Sequence, residues 1–164
     1  MAFDLIAAGG PYAPLTDELM LFGRFVGAWD VASTWWDADG STRQQDGEWH
    51  FAWALGGRAV QDVLFGRDAA ADQRGTTLRA YDERDGTWHV SWYCPAQAQF
   101  VHLVARRDGD GILIEGATTD GASRERWSFD RIEPDAFRWQ GRTSEDGGAT
   151  WRLQQEMHAT RQPR

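Results

Sequence analysis

Lysine and asparagine are absent from this 164-residue chain, so all 17 of its basic residues are arginine. Cysteine occurs once, as Cys94, which excludes an intramolecular disulfide and fits a reducing compartment. No apolar run approaches the length of a membrane-spanning helix. Residues 1–10 carry neither a positively charged start nor a sustained apolar run, so no secretory signal is expected and the reading is a cytoplasmic protein. The four histidines, His50, His89, His102 and His158, fall in different segments without HxH, HExxH or Cys–His spacing, and no metal site is expected. The nucleophile elbow Gly-x-Ser-x-Gly, the P-loop and the dinucleotide fingerprint are all missing. A net charge of −8 and a pI near 4.9 argue against nucleic-acid partners, which need a basic stripe, and against acidic membrane surfaces.

What is abundant is aromatic: ten Trp and eight Phe beside 18 Gly. Each Trp brings a large apolar area and one N–H that needs a partner, so so many rings imply a thick core or a lined cavity. At this length the chain builds one core without metal or disulfide staples, and the expected division is an N-terminal arm and short helix over 1–24 followed by a single barrel domain over 25–164. The opening residues, through Ala13, have no periodicity and read as a flexible or late-ordering arm. Residues 14–22 form the one helix candidate, with Thr16 as N-cap, Asp17 and Glu18 at the positive end of the dipole and Gly23 as the stop. Its expected place is over one mouth of a barrel.

From Phe25 the pattern is period two. Asp39-Gly40, Gly56-Gly57, Asp85-Gly86, Asp108-Gly109, Asp120-Gly121, Pro134-Asp135 and Asp146-Gly147-Gly148 supply the tight turns. The spacing gives strands near 25–36, 42–54, 58–66, 76–83, 87–94, 99–107, 111–118, 123–132, 136–144 and 149–160. Ten strands joined by hairpins would leave two open edges unless the sheet closes, so the fold class is all-β: an antiparallel up-and-down barrel of about ten strands with a short N-terminal helix. Ser144 to Trp151 matches the Ser-x-Asp-x-Gly-x-Thr-Trp hairpin motif (the Asp-box), and as a single copy it marks a turn, not chemistry.

Register arithmetic turns the strands into neighbours. A two-residue turn at Gly56-Gly57 sets Trp49, Phe51, Trp53, Val60, Asp62 and Leu64 on one face, placing a carboxylate among rings. A turn at Asp85-Gly86 sets Arg79 opposite Trp92, on the face of Tyr81, Trp88 and Val90. Asp62 and Arg79 should therefore meet inside, as a structural ion pair or a ligand clamp. Turns at Asp108-Gly109 and Asp120-Gly121 pair His102 with Glu115 and Glu115 with Arg126, and carrying that face round Pro134-Asp135 reaches Phe137 and Trp139. This row reads as a polar wall of a cavity or as plain cross-strand pairing on a solvated surface. The Cys94-to-Gln99 connection leaves the parity between the two halves open. Cys94 itself reads as a small buried hydrophobe.

Several segments resemble a bacterial family of unknown function in the calycin superfamily. They are Gly47-Glu48-Trp49-His50-Phe51, Leu55 to Asp62, Thr76 to Asp82, Arg126-Trp127-Ser128-Phe129 and the Ser144–Trp151 hairpin. The resemblance implies a lipocalin-like barrel around a cavity and implies no activity. It also implies that the first-strand Trp packs on an Arg at the end of the last strand, roles that fall to Trp29 and Arg161. The chain departs from true lipocalins in lacking disulfides, and from nitrobindin-type haem barrels in lacking their glycine-rich opening.

The leading expectation is a binding module that takes a small hydrophobic or amphipathic molecule, acidic or carbonyl-ended. Its contacts would be Trp49, Phe51, Trp53, Asp62, Arg79, Tyr81, Trp92, His102, Glu115, Arg126 and Trp139. No cofactor is assigned, although a haem on His158 or His102 is compatible with a ten-stranded barrel. The first alternative is an enzyme of the same build, a cyclase, isomerase or hydrolase using His102/Glu115 or Asp62 as acid and base. The second is a barrel packed shut by Trp49, Trp53, Trp92 and Trp139 and acting through a dimer or partner surface.

Overall fold

The computed structural model describes residues 6–70 and 73–163. Ten strands run in chain order from β2 to β11, after a two-residue strand, β1 (Ala7–Ala8), and the helix α1 (Thr16–Gly23). They are β2 (Gly27–Trp36), β3 (Thr42–Ala54), β4 (Ala59–Gly66), β5 (Gly75–Asp82) and β6 (Thr87–Cys94), then β7 (Gln99–Asp108), β8 (Gly111–Thr118), β9 (Arg124–Glu133), β10 (Ala136–Ser144) and β11 (Arg152–Arg161). From β2 to β11 every strand pairs antiparallel with its sequence neighbours, and β11 pairs with β2. The result is a closed up-and-down barrel, in which closure removes the edges a meander would expose.

The arm is docked rather than free. Ala7 and Ala8 pair with Ala54 and Trp53, and Tyr12 N–H donates to the Gly57 carbonyl at 3.1 Å. The arm crosses the β3–β4 hairpin where a Cβ on Gly57 would sit 2.3 Å from the Gly10 carbonyl oxygen, and Gly57 also has a φ of +82°. The first five residues lie outside the described residues. The helix starts slightly differently from expectation: a 3₁₀ turn (Ala13–Leu15) precedes it, and Thr16 is its first residue instead of its cap, its hydroxyl donating to the Ala13 carbonyl. Asp17 and Glu18 occupy the first turn.

Helix α1 covers one mouth. Leu19 and Phe22 are fully buried, and Phe22 meets Trp88 edge-on at 4.9 Å between centroids. Beside it Phe25, Trp29, Phe51, Phe129 and Phe137 form a continuous aromatic cluster with closest centroid spacings of 4.7–4.9 Å. Burying each such side chain contributes about 1.5–3 kcal/mol to the fold. The ring of Trp53 lies against α1, where a Cβ on Gly23 would come within 2.2 Å of it.

The Trp29–Arg161 contact is present. The Arg161 guanidinium sits 4.0 Å over the Trp29 ring and donates to the Val26, Arg24 and Pro134 carbonyls at 2.9–3.0 Å. It passes 2.7 Å from where Gly27 would carry a Cβ, which is why glycine stands there.

Register follows the hairpin arithmetic with three corrections. The β3–β4 pairing is as expected, with Phe51 opposite Asp62. The β5–β6 loop takes four residues instead of two, because the Asp85 carboxylate accepts from both the backbone N–H and the hydroxyl of Thr87. Arg79 therefore faces Val90, and Thr77 faces Trp92, a slip of two that keeps the face. The β7–β8 turn likewise sets Val104 opposite Glu115, with His102 opposite Ala117.

The third correction changes a face. Glu133 pairs with Ala136 and Asp130 with Arg138, so Arg131 and Ile132 together oppose Phe137, with Arg131 at φ +49°. This is a β-bulge, and it inverts the inside–outside parity between the rest of β9 and β10. Glu115 still faces Arg126. That row lies outside the barrel, however, whereas Phe137 and Trp139 lie inside.

Candidate functional site

Away from α1 the barrel opens into a cavity of about 630 Å³. The even-numbered strands β2–β10 contribute their C-terminal ends and the odd-numbered strands β3–β11 their N-terminal ends. Five indoles line it: Trp35, Trp49, Trp92, Trp127 and Trp139. Two of them depend on glycine. A Cβ on Gly75 would stand 1.9 Å from the Trp92 ring, and one on Gly141 would stand 2.6 Å from the Trp139 ring. Both indoles therefore lie along the wall over bare backbone. The Trp92 N–H donates to Gln99 at 3.1 Å near the mouth.

Arg79 closes the floor, 2 % exposed. Its Nη1 donates to Asp62 Oδ2 at 2.5 Å, and Asp62 Oδ1 accepts the Thr77 backbone N–H at 2.9 Å. The rings of Phe22, Phe51 and Phe129 surround its guanidinium at 5.2–5.9 Å. The charge is thus paired, but Arg79 Nε and the indole nitrogens of Trp49 and Trp35 have no acceptor among the described residues. Buried donors of this kind are costly unless something supplies an oxygen.

Glu125 stands in the cavity wall on β9, 9 % exposed. It accepts from the Thr143 hydroxyl at 3.2 Å and the Ser123 hydroxyl at 3.4 Å. Burial pushes its carboxyl above the ordinary carboxylate range, against hydrogen bonds from Thr143, Trp127 and Ser123 and the charge of Arg152, which pull it down. Neither Glu125 nor Trp127 belongs to the residues read from the sequence as contacts. The available signal was the alternation Glu125-x-Trp127-x-Phe129, which puts the carboxylate on an aromatic face.

Of the contacts read from the sequence, Trp49, Arg79, Trp92 and Trp139 line the cavity, with Asp62 behind Arg79. Phe51 and Trp53 are core residues away from the lining, and Tyr81 packs on Trp88, 5.6 Å between centroids. His102, Glu115 and Arg126 are outside. Arg126 pairs with Glu115 at 2.7 Å and covers the Trp151 ring at 4.0 Å, while His102 contacts Ser91 at 2.9 Å and His89 at 3.3 Å. The 3₁₀ turn Pro95–Gln97, with Ala98 at φ +52°, sets this outward phase of β7. His158, 58 % exposed in its side chain, bonds Glu156 on the outer face. No histidine lines the cavity, so neither His102 nor His158 is placed to hold a haem within it. The Ser144–Trp151 hairpin is a closed hydrogen-bonded turn around Asp146.

No protein-family model and no curated protein matches the chain. Solved structures do. The chain is similar to Rv2717c from M. tuberculosis, with a TM-score of 0.65 and 17 % identity over 89 % of this chain and 98 % of that one. It is also similar to the S-type phycobiliprotein lyase CPES from Guillardia theta, with a TM-score of 0.62 and 8 % identity over 88 % of this chain and 92 % of that one. At these identities the likeness is one of fold alone, a ten-stranded barrel.

Proposed function

We propose that this protein is a binding module that holds a small, partly apolar molecule in the open end of its barrel. The observation that carries the reading is the indole-lined cavity of about 630 Å³, with three unsatisfied donors on Arg79, Trp49 and Trp35. The apolar body would lie against the indoles, and an oxygen acceptor such as a carbonyl would meet the donors. A cavity of that size also speaks against a barrel packed shut. The acid–base pair of the enzyme reading, His102 with Glu115, sits on the outer face. Asp62 is already committed to Arg79 and Thr77. The phycobiliprotein lyase of similar fold keeps a lyase-like use of such a barrel in view.

Removing Arg79 or Asp62 alone would strand a buried charge at a cost of about 3–5 kcal/mol, so the test belongs on the wall. Ser33 and Val101 line the cavity and are only partly buried. Nile red, a neutral dye that brightens in apolar surroundings, should bind saturably, one per chain. The double variant Ser33→Trp/Val101→Trp should weaken that binding by about tenfold or more while the far-UV circular dichroism stays unchanged. Equal binding by the filled variant would place the dye elsewhere and remove the reading.

A further inference from the structure

We infer that the cavity selects molecules bearing an organic ammonium group, held at Glu125 on the indole-lined wall. The inference deepens the cavity-binding reading and rests on it.

Charge bookkeeping of the wall comes first. Arg79 is the one cation among the described lining residues, and the buried Asp62 already neutralises it. Glu125 is the one buried acid of the described lining without an ion pair; Asp46 and Asp120 are exposed, and the Asp120 carboxylate accepts from Thr118 and Ala122 in its own turn. A carboxylate ligand would meet Glu125, and the guanidinium it seeks is already paired with Asp62. A cation would find at Glu125 a buried acid with no ion pair among the described residues, in a protein whose net charge of −8 favours its approach.

Glu125 is the specific anchor. A carboxylate nine-tenths buried is costly without a counter-ion. Among the described residues it has neutral partners, the Thr143 and Ser123 hydroxyls and the Trp127 N–H, and no ion pair. Arg152, whose charge reaches it, donates instead to the Trp36 carbonyl at 3.2 Å.

The rings of the cavity wall have the geometry a cation uses. Trp127 and Trp139 stand 5.7 Å apart with their planes inclined at 59°, and Trp49 meets Trp139 at 6.5 Å and 84°. Indole faces lining the same cavity attract an ammonium through their quadrupoles on its way to the carboxylate that takes its charge. The oxygen that satisfies Arg79 and Trp49 would sit at the other end of the same ligand.

The test uses three probes with one body: 1-naphthylmethylamine, 1-naphthalenemethanol and 1-naphthoate, titrated calorimetrically at neutral pH. The amine should bind wild-type protein about tenfold or more tighter than the alcohol, and the acid weakest. Glu125→Gln should bring the amine to the level of the alcohol and leave alcohol binding within about twofold. Alcohol or acid binding wild-type protein as tightly as the amine overturns the inference and leaves the cavity reading intact. An amine preference that survives in Glu125→Gln overturns Glu125 as the anchor. Failure of all three in protein that still takes up Nile red overturns the inference alone, and failure of Nile red as well overturns both. The wild-type ranking stands by itself should the variant fail to fold.

Discussion

Glu125 and Arg126 are adjacent in sequence and opposite in fate. Strand alternation sends the first among indoles and the second to the surface beside Glu115 and Trp151. The buried carboxyl has a consequence for stability. Its folded pKa is raised, so the native state keeps a proton that the unfolded chain has lost. Its contribution is therefore present below the unfolded carboxylate pKa of about 4.3 and is lost as pH rises through the folded value. Glu125→Gln removes that loss. The melting temperature of the variant should gain on wild type as pH rises from 4 to 8, read as the difference between two thermal scans at each pH. A constant difference would mean that Glu125 ionises as freely in the fold as out of it. Taking the difference matters because burial raises the Glu115 carboxyl while Arg126 and Arg106 pull it back below its ordinary value, so other carboxylates act in the acid direction.

At the scale of the element, the β9–β10 hairpin decides which residues share the interior. The strands on either side of Pro134-Asp135 read correctly from period two, and so did their lengths. What local pattern could not supply was the extra residue at Arg131, since an exposed arginine near a strand end carries no mark of a left-handed backbone. One residue inserted there moves Trp139 indoors while Arg126 stays out, which is why the polar row His102–Glu115–Arg126 read as a cavity wall. The bulge is testable. Arg131→Val, a β-branched side chain at φ +49°, should cost about 1–2 kcal/mol in urea unfolding, and Arg131→Gly should cost little or nothing. Equal tolerance of valine would argue against the left-handed conformation. Errors of two residues, as at the β5–β6 loop, did no such damage, because they preserve the face.

Over the whole molecule the barrel has an aromatic closed half and an open half whose wall is part apolar and part polar. The closed half is locked where the first strand meets the last. Arg161 stacks on Trp29 and donates to three carbonyls from the Val26, Arg24 and Pro134 regions. Arg161→Ala should destabilise the fold by about 2–3 kcal/mol, measured by urea unfolding, since carbonyls that accept a charged donor lose it together with the ring contact. Ligand affinity should change little, the clasp lying at the end opposite the cavity. A variant as stable as wild type would reduce the clasp to a surface contact.

Alternation and turn residues are local properties, so the sequence by itself determined the number of strands, their order, their antiparallel meander and the inward faces of β3 to β6, including the meeting of Asp62 with Arg79. The clasp of Trp29 and Arg161 came through resemblance, and the contact is there. Tertiary structure alone decided the level at which each inward residue sits along the barrel axis, because level depends on the stagger between strands and on bulges. That is why Trp49 and Trp139 line a cavity while Phe51 and Trp53, on the same inward face, serve the core. It also decided which mouth α1 closes, and it brought Glu125, Thr143 and Trp139 from two strands into one wall. Faces follow from period two within a strand; depth follows from how ten strands close upon one another.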